Sequence, residues 1–222
     1  KNFVELTEED FYDGLLFHRV IENFMIQGGD PDSKDAEPGK RLGGGSLDYT
    51  LPAEFVQEYY HKRGALAAAR KGGPSNPAKR SSASQFYIVQ GKVFTPGQLD
   101  TLEMAKNARY RKEIVAQQIE AHRAELEAFR ENNDREGFNI RLAEIREEAD
   151  SLMEANGTKF EFTDEQREIY TTIGGYPSLD GDYTVFGEVV EGMEVVDKIA
   201  SMETDKNDRP VEDIKMEVEL VK

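Results

Sequence analysis

The sequence predicts a mainly β, α+β protein: a barrel or sandwich of short strands with a few helices, interrupted by an inserted antiparallel helical hairpin. Three observations predict it. Residues 1–97, and those from about 174 onward, are punctuated by Gly and Pro and carry short apolar runs of strand type. Residues 98–156 contain no Pro and almost no Gly, and they carry two apolar stripes at helical spacing. The composition, 38% hydrophobic and 32% charged, is too apolar for a disordered chain and charge-rich enough for a long solvated helix.

The elements follow in order. Lys1-Asn2-Phe3-Val4 reads as the middle of a helix, opens without Met and shows no apolar signal core, so an upstream segment is expected. Leu15–Ile21 and Phe24–Gln27 are strand-type runs, the second ended by Gly28-Gly29; Ala65–Ala69 and Phe86–Val89 are similar. In the middle, Val115, Ile119, His122, Leu126 and Phe129 step by four and three residues, and Phe138, Leu142, Ile145, Ala149 and Leu152 do the same. Asn132-Asn133-Asp134 is a turn between them, with Asn133 and Glu136 spaced as a capping box. Two such stripes joined by a short turn must pack antiparallel, which predicts a protruding hairpin with His122 at the edge of its seam. A further helix is expected from Thr163, capped by Gln166, to Gly174-Gly175. Thr184–Val190 is a strand after the Asp180-Gly181 turn, Met193–Met202 has helical spacing, and Ile214, Met216, Val218 and Leu220 alternate with charged residues as a closing strand.

Several function classes are excluded. The balance of 28 basic against 44 acidic residues, a net charge of −16, argues against a general nucleic-acid binder. The absence of Cys removes thiol catalysis and disulfides, and no apolar run is long enough to span a bilayer. His18, His61 and His122 lie in different segments without metal-ligand spacing. Asp30, Asp32 and Asp35 resemble a calcium loop, but Lys34 stands where a fifth-position ligand is required. Gly43-Gly44-Gly45 lacks the Lys-Ser/Thr ending of a phosphate loop, and Asn156-Gly157-Thr158 is formally a glycosylation sequon but reads first as a helix stop. No metal and no cofactor is expected.

One constellation remains. Phe17-His18-Arg19-Val20-Ile21 and Phe24-Met25-Ile26-Gln27-Gly28-Gly29 are adjacent strand-like runs, so Arg19, Phe24, Met25 and Gln27 can converge on one surface. The segment Phe17 to Pro31 closely resembles the signature of the cyclophilin family of peptidyl-prolyl cis-trans isomerases. Three more blocks agree in family order: Gly64-Ala65-Leu66-Ala67-Ala68-Ala69-Arg70, Ser84-Gln85-Phe86-Tyr87-Ile88, and Leu179-Asp180-Gly181-Asp182-Tyr183-Thr184-Val185-Phe186-Gly187. The resemblance implies an eight-stranded closed β-barrel with capping helices, formed by residues 1–91 and 174–222. Residues 92–173 would be a helical insertion, and the family's first two strands would lie upstream of Lys1.

The same resemblance implies a mechanism without a cofactor. Arg19 would be the catalytic residue, donating to the proline nitrogen as the amide twists. Phe24, Met25, Tyr87, Leu179 and Tyr183 match positions around the proline pocket. Gln27 would orient Arg19, Ala69 and Arg70 would form the rim, and Gln85 would contact substrate. Tyr87 replaces the usual Phe, which predicts a hydroxyl needing a partner or water at the pocket edge. Tyr183 stands where many members carry His, and Ser178 where the best-known members carry Trp, so weak inhibition by cyclosporin is expected. Lys62, Arg63, Arg70, Lys71, Lys79 and Arg80, with no acidic residue among residues 61–80, suggest a taste for acidic residues beside the substrate proline. Expected partners are proline-containing peptides or unfolded proteins, with no nucleic acid, no membrane span and a homodimer through the hairpin as an option. The alternative function is a non-catalytic module that holds proline segments, with the helical arm as a chaperone. The expected location is bacterial and extracytoplasmic, with cytoplasmic as the alternative.

Overall fold

The computed structural model describes residues 1–155, 157 and 159–221, so Asn156 and Thr158 of the sequon fall outside the described residues. Helix α1 spans Asn2–Glu8, and strands β1 (Arg19–Ile21), β2 (Met25–Gly28), β3 (Thr50–Leu51), β4 (Ala65–Ala68), β5 (Ser81–Ser82) and β6 (Phe86–Val89) follow. Helices α2 (Pro96–Ala121), α3 (Arg123–Glu131), α4 (Arg135–Ala155) and α5 (Asp164–Thr172) precede β7 (Val185–Glu188) and α6 (Met193–Ala200). The longest helix has 26 residues and the longest strands four, so the α+β part of the expectation stands while the weight falls on helix rather than strand. The chain divides into two compact units, Lys1–Phe94 with Gln166–Lys222, and Thr95–Glu165.

In the first unit the strands run in the order β1-β2-β6-β4-β7, and β3 pairs separately with β5. This is an open five-stranded sheet among the described residues, not the closed barrel expected, because β1 and β7 stand at its two edges. The β1 edge is partly covered: the Val20 amide donates to the Asp208 carbonyl at 2.8 Å. One sheet face, through Val20 and Ile26, packs against Val196 and Ala200 of α6. The other gathers Met25, Ala65, Ala67, Tyr87 and Val89 into a buried cluster. A separate cluster of Leu6, Tyr12, Leu15, Phe86 and Met216 ties α1 to the C-terminal segment. That segment keeps the expected alternation, with Ile214 and Val218 half-buried and Met216 buried, but it is paired by a single bridge, Leu16 to Lys215, rather than as a strand.

The helical unit departs from the two-helix expectation at His122. There φ −100° and ψ 17° leave helical geometry, so the first long helix breaks into α2 and α3. Capping explains the other boundaries. Thr95 and Gln98 form a reciprocal capping box at the start of α2. At the start of α4 the Asp134 carboxylate accepts the Gly137 amide at 2.9 Å, so the cap is Asp134 rather than Asn133, whose φ is +55°. Ile145 and Ala149 are fully buried, with Leu126 and Met153 nearly so. Bidentate Arg111–Asp150 contacts at 2.5 and 2.8 Å join α2 to α4, and Arg141–Glu125 at 3.1 Å joins α3 to α4, in an antiparallel order. No described helix is long and apolar enough to cross a membrane.

Candidate active site

Strand register builds the site. Arg19 pairs with Gln27, Gln27 with Tyr87, Tyr87 with Ala67, and Ala67 with Val185, so these residues form one row across the sheet. Alternation puts their side chains on one face, with Ile21, Met25 and Val89 in the next row on that face. Arg19 and Gln27 are thus cross-strand neighbours, held by the tight β1–β2 connection in which Asn23 takes φ +61°.

Arg19 is half-exposed. Its guanidinium carbon lies 6.0 Å from the Phe24 ring centroid, and its Nε is 3.4 Å from the Asp208 carboxylate. Gln27 donates through Nε2 to Gln85 Oε1 at 2.9 Å, and Gln85 donates in turn to the carbonyls of Gly45 at 2.7 Å and Gly43 at 3.3 Å. The amides of Gly43 and Gly45 point the other way, into the carboxylate of the fully buried Asp30. A side chain at Gly45 would collide with Asp30, so the close approach of this loop requires glycine. A cavity of about 420 Å3 opens beside this chain, with Gln27, Ala69, Arg70 and Gln85 in its wall together with Lys71 and Arg80.

The aromatic residues form a second part of the site. The Phe24 ring lies on Tyr176 with centroids 4.1 Å apart and an interplanar angle of 31°. Met25 is buried beneath, and Leu179 and Tyr183 pack against the same cluster. Tyr183 meets Tyr87 edge-on, at 5.9 Å and 81°, while the Arg70 guanidinium stands 4.4 Å over the Tyr183 ring. Ser178 is exposed. The structure therefore brings all of the expected residues to one sheet face or its rim. It separates them into a polar groove, with Gln27, Ala69, Arg70 and Gln85, and an aromatic patch, with Phe24, Met25, Tyr87, Leu179 and Tyr183.

The Tyr87 hydroxyl is not at the pocket edge as expected. It turns inward to His61 Nε2 at 2.9 Å, and burial holds its pKa well above the usual phenol value. Of the basic residues in 61–80, Lys62, Arg63 and Lys79 are paired with Glu188, Asp197 and Asp182, whereas Arg70, Lys71 and Arg80 line the cavity. His18 is buried next to Arg19, and neither of its ring nitrogens meets a hydrogen-bond partner among the described residues. Desolvation pushes its pKa down, with Asp30 opposing. Sequence reasoning missed Tyr176, His61, Asp180 and Asp208. Asp180 was visible as a turn residue inside the Leu179–Gly187 block and His61 as a histidine without metal-ligand spacing, and nothing in the sequence marked either, or Tyr176 and Asp208, as part of the site. Among the described residues no group of three or more His, Cys, Asp or Glu is placed to hold a metal.

Comparison with known proteins bears on this arrangement. The model of the family "Cyclophilin type peptidyl-prolyl cis-trans isomerase/CLD" matches residues 1–108 and 154–219. A Streptococcus pyogenes protein named "Putative bifunctional phosphatase/peptidyl-prolyl cis-trans isomerase" is 32% identical over 219 residues, covering 97% of this chain and 32% of that protein. The chain thus spans about a third of the length of that relative. A Staphylococcus haemolyticus protein named "Putative peptidyl-prolyl cis-trans isomerase" is 29% identical over 217 residues, 98% of this chain and 76% of that protein. A solved Cryptosporidium parvum cyclophilin aligns with a TM-score of 0.49 and 19% identity, over 98% of this chain and 78% of that one. With a family match over well more than half its length, the chain belongs to the cyclophilin-type peptidyl-prolyl cis-trans isomerases.

Proposed function

We propose that this chain rotates X–Pro bonds in peptide and unfolded-protein substrates, with Arg19 as the catalytic residue and no cofactor. The observation that carries the reading is the row joining Arg19 to Gln27 and, through Gln85, to the groove walled by Ala69 and Arg70. The barrier to rotation, about 18–20 kcal/mol, comes from amide resonance. As the bond twists, the proline nitrogen regains a basic lone pair. A fixed donor near that nitrogen stabilises the twisted state more than either planar state, and only that difference accelerates the reaction. Arg19 suits the task because it stays charged and its fork can donate from one nitrogen while another meets Asp208. Gln27, held by Gln85, stands opposite Arg19 in the strand register, where it would limit the swing of the guanidinium. Phe24, Met25, Tyr87, Leu179 and Tyr183 supply the apolar surface for the pyrrolidine ring, and Ala69 and Arg70 the rim along which the peptide lies. Arg70, Lys71 and Arg80 in the groove wall favour acidic residues near the proline.

The break in the family match between residues 108 and 154 supports reading the middle of the helical unit as an insertion, narrower than the 92–173 expected. The closed barrel belongs to the same reading: closure would be made at the outer edges of β1 and β7. The test is protease-coupled turnover of an Ala-Ala-Pro-Phe peptide. Arg19→Ala should lower kcat/KM by about 10²–10³-fold, the cost of removing one transition-state donor. Equal turnover by the variant and the parent chain would sink the assignment.

A further inference from the structure

Beneath the aromatic patch lies a buried polar chain that the reaction as described does not use. The Asp180 carboxylate accepts from His61 Nδ1 and from the His61 backbone amide, both at 2.8 Å, through Oδ1. It accepts the Tyr170 hydroxyl at 2.6 Å through Oδ2. Nδ1 of His61 faces Asp180 Oδ1 and Nε2 faces the Tyr87 hydroxyl at 2.9 Å; in the tautomer with its proton on Nδ1, the imidazole donates to Asp180 and accepts from Tyr87. His61 is fully buried, and Asp180 is 4% exposed. The backbone of His61 reaches the other half of the patch: its carbonyl accepts the Tyr176 amide at 2.8 Å, and Tyr176 is the ring that lies on Phe24. Gly175 makes that approach possible, since a Cβ there would sit 2.3 Å from the His61 carbonyl oxygen. The rings of His61 and Tyr87 are held near parallel, at 14°, and Tyr183 stands edge-on to both.

We infer that His61, fixed by Asp180, is a positioning residue that sets the orientation of Tyr87 and the place of Tyr176, and so pre-forms the surface that receives the substrate proline. This rests on the isomerase reading above. Without the hydroxyl the ring at position 87 would have packing alone to set its orientation and His61 Nε2 would lose its partner; with it, the group that satisfies the hydroxyl is tied to a second ring of the site. The Tyr87 hydroxyl is thereby turned away from substrate, which keeps the receiving face apolar. Orientation of this kind acts on binding of the ring, before the amide twists, and is expected in KM rather than in kcat.

Side-chain geometry supplies a pair of variants that separates positioning from bulk stability. Asn reaches as far as Nδ1 and can keep the Asp180 contact while losing Tyr87; Gln reaches as far as Nε2 and can keep an acceptor for Tyr87. In the full chain, Tyr87→Phe and His61→Asn should each raise KM for an Ala-Ala-Pro-Phe peptide by roughly two- to tenfold, the worth of one buried hydrogen bond, with kcat within about twofold. His61→Gln should restore KM towards that of the parent chain. The double variant Tyr87→Phe/His61→Asn should be no worse than the poorer single one, because both remove the same link. A second readout does not depend on turnover: NMR line shapes of the Tyr87 ring should show slow flipping in the parent chain and fast flipping in His61→Asn. If the folded variants keep the parent KM and ring dynamics, or if the two single effects multiply in the double variant, the inference is overturned. A parent chain with no isomerase activity but a slowly flipping Tyr87 would instead overturn the isomerase reading and leave the positioning link standing.

Discussion

The two units of the chain are held together by opposite means. In the helical unit, Ile145, Ala149, Leu126 and Met153 are buried apolar positions, and most of the polar contacts are exposed Arg–carboxylate pairs such as Arg111–Asp150 and Arg123–Glu127, with part-buried joints from Asn107 and Glu103 to the Phe160–Phe162 backbone at one end. In the sheet unit, strands of two to four residues are too short to define themselves, and buried polar side chains make the joints instead. Asp30 holds the Gly43–Gly45 loop, Asp180 holds His61 and Tyr170, and Arg209, 3% exposed, donates to the carbonyls of Ala36, Glu37 and Lys40 and to Asp213. A stripe tolerates sliding and substitution. A buried hydrogen-bonded joint accepts one geometry and is costly to leave half-made. The unit that carries the candidate site is the one built from such joints.

The comparison can be broken in graded ways. The largest expected effect is Ile145→Ala, which empties a fully buried position in α4 and should cost about 2–5 kcal/mol of helical-unit stability while leaving proline-peptide turnover within twofold. Circular dichroism melting and the coupled assay on one preparation check both halves; a matching loss of turnover would show that the units do not work apart. Next is Asp30→Asn, which weakens the charge-assisted bonds from Gly43 and Gly45 and should cost on the order of 1–3 kcal/mol by denaturant unfolding, with a weaker grip of the groove on peptide.

A pH effect comes third. His18 is buried with its pKa below the usual 6.5, so the unfolded chain binds the proton more readily than the folded one. Stability is then whole above about pH 6.5 and declines as pH falls from there towards the lowered value, because the slope of stability with pH is positive wherever the unfolded state holds more protons. The measurement is denaturant unfolding from pH 7.5 to 5, and His18→Leu should flatten the curve over that range; an unchanged slope would remove His18 as the cause. The smallest effect is Asp208→Asn. The Arg19–Asp208 pair has side chains 38% and 43% exposed, so solvent screening limits its loss to about 1 kcal/mol of stability or less.

The same contrast explains what the sequence revealed. The stripes of α2 to α4 were legible because a helix repeats every few residues, so neighbours in sequence are neighbours on a face. Their one local failure, the break at His122, is a backbone departure that apolar spacing does not record. The strand runs around Arg19, Met25, Ala65 and Phe86 were legible as apolar segments, and the family likeness located the expected site residues. The joints were not legible. His61, Tyr87, Tyr170 and Asp180 are spread over 120 residues of chain, and nothing in their spacing shows that folding will bring them to hydrogen-bond distance. The closed barrel was expected from the likeness and not from the residues, and the open edges at β1 and β7 mark that limit.

The row from Arg19 through Gln27 and Tyr87 to Ala67 has a consequence for how activity is gained or lost. Because side chains alternate between faces, a pairing error of one residue anywhere along β1, β2 or β6 would send Arg19, Gln27 or Tyr87 to the side covered by α6. Half-aligned sites are therefore not an available state. A refolded sample of low specific activity should be a mixture of fully competent and wholly inert molecules, and active-site titration, rather than a bulk rate, is the measure that would count them.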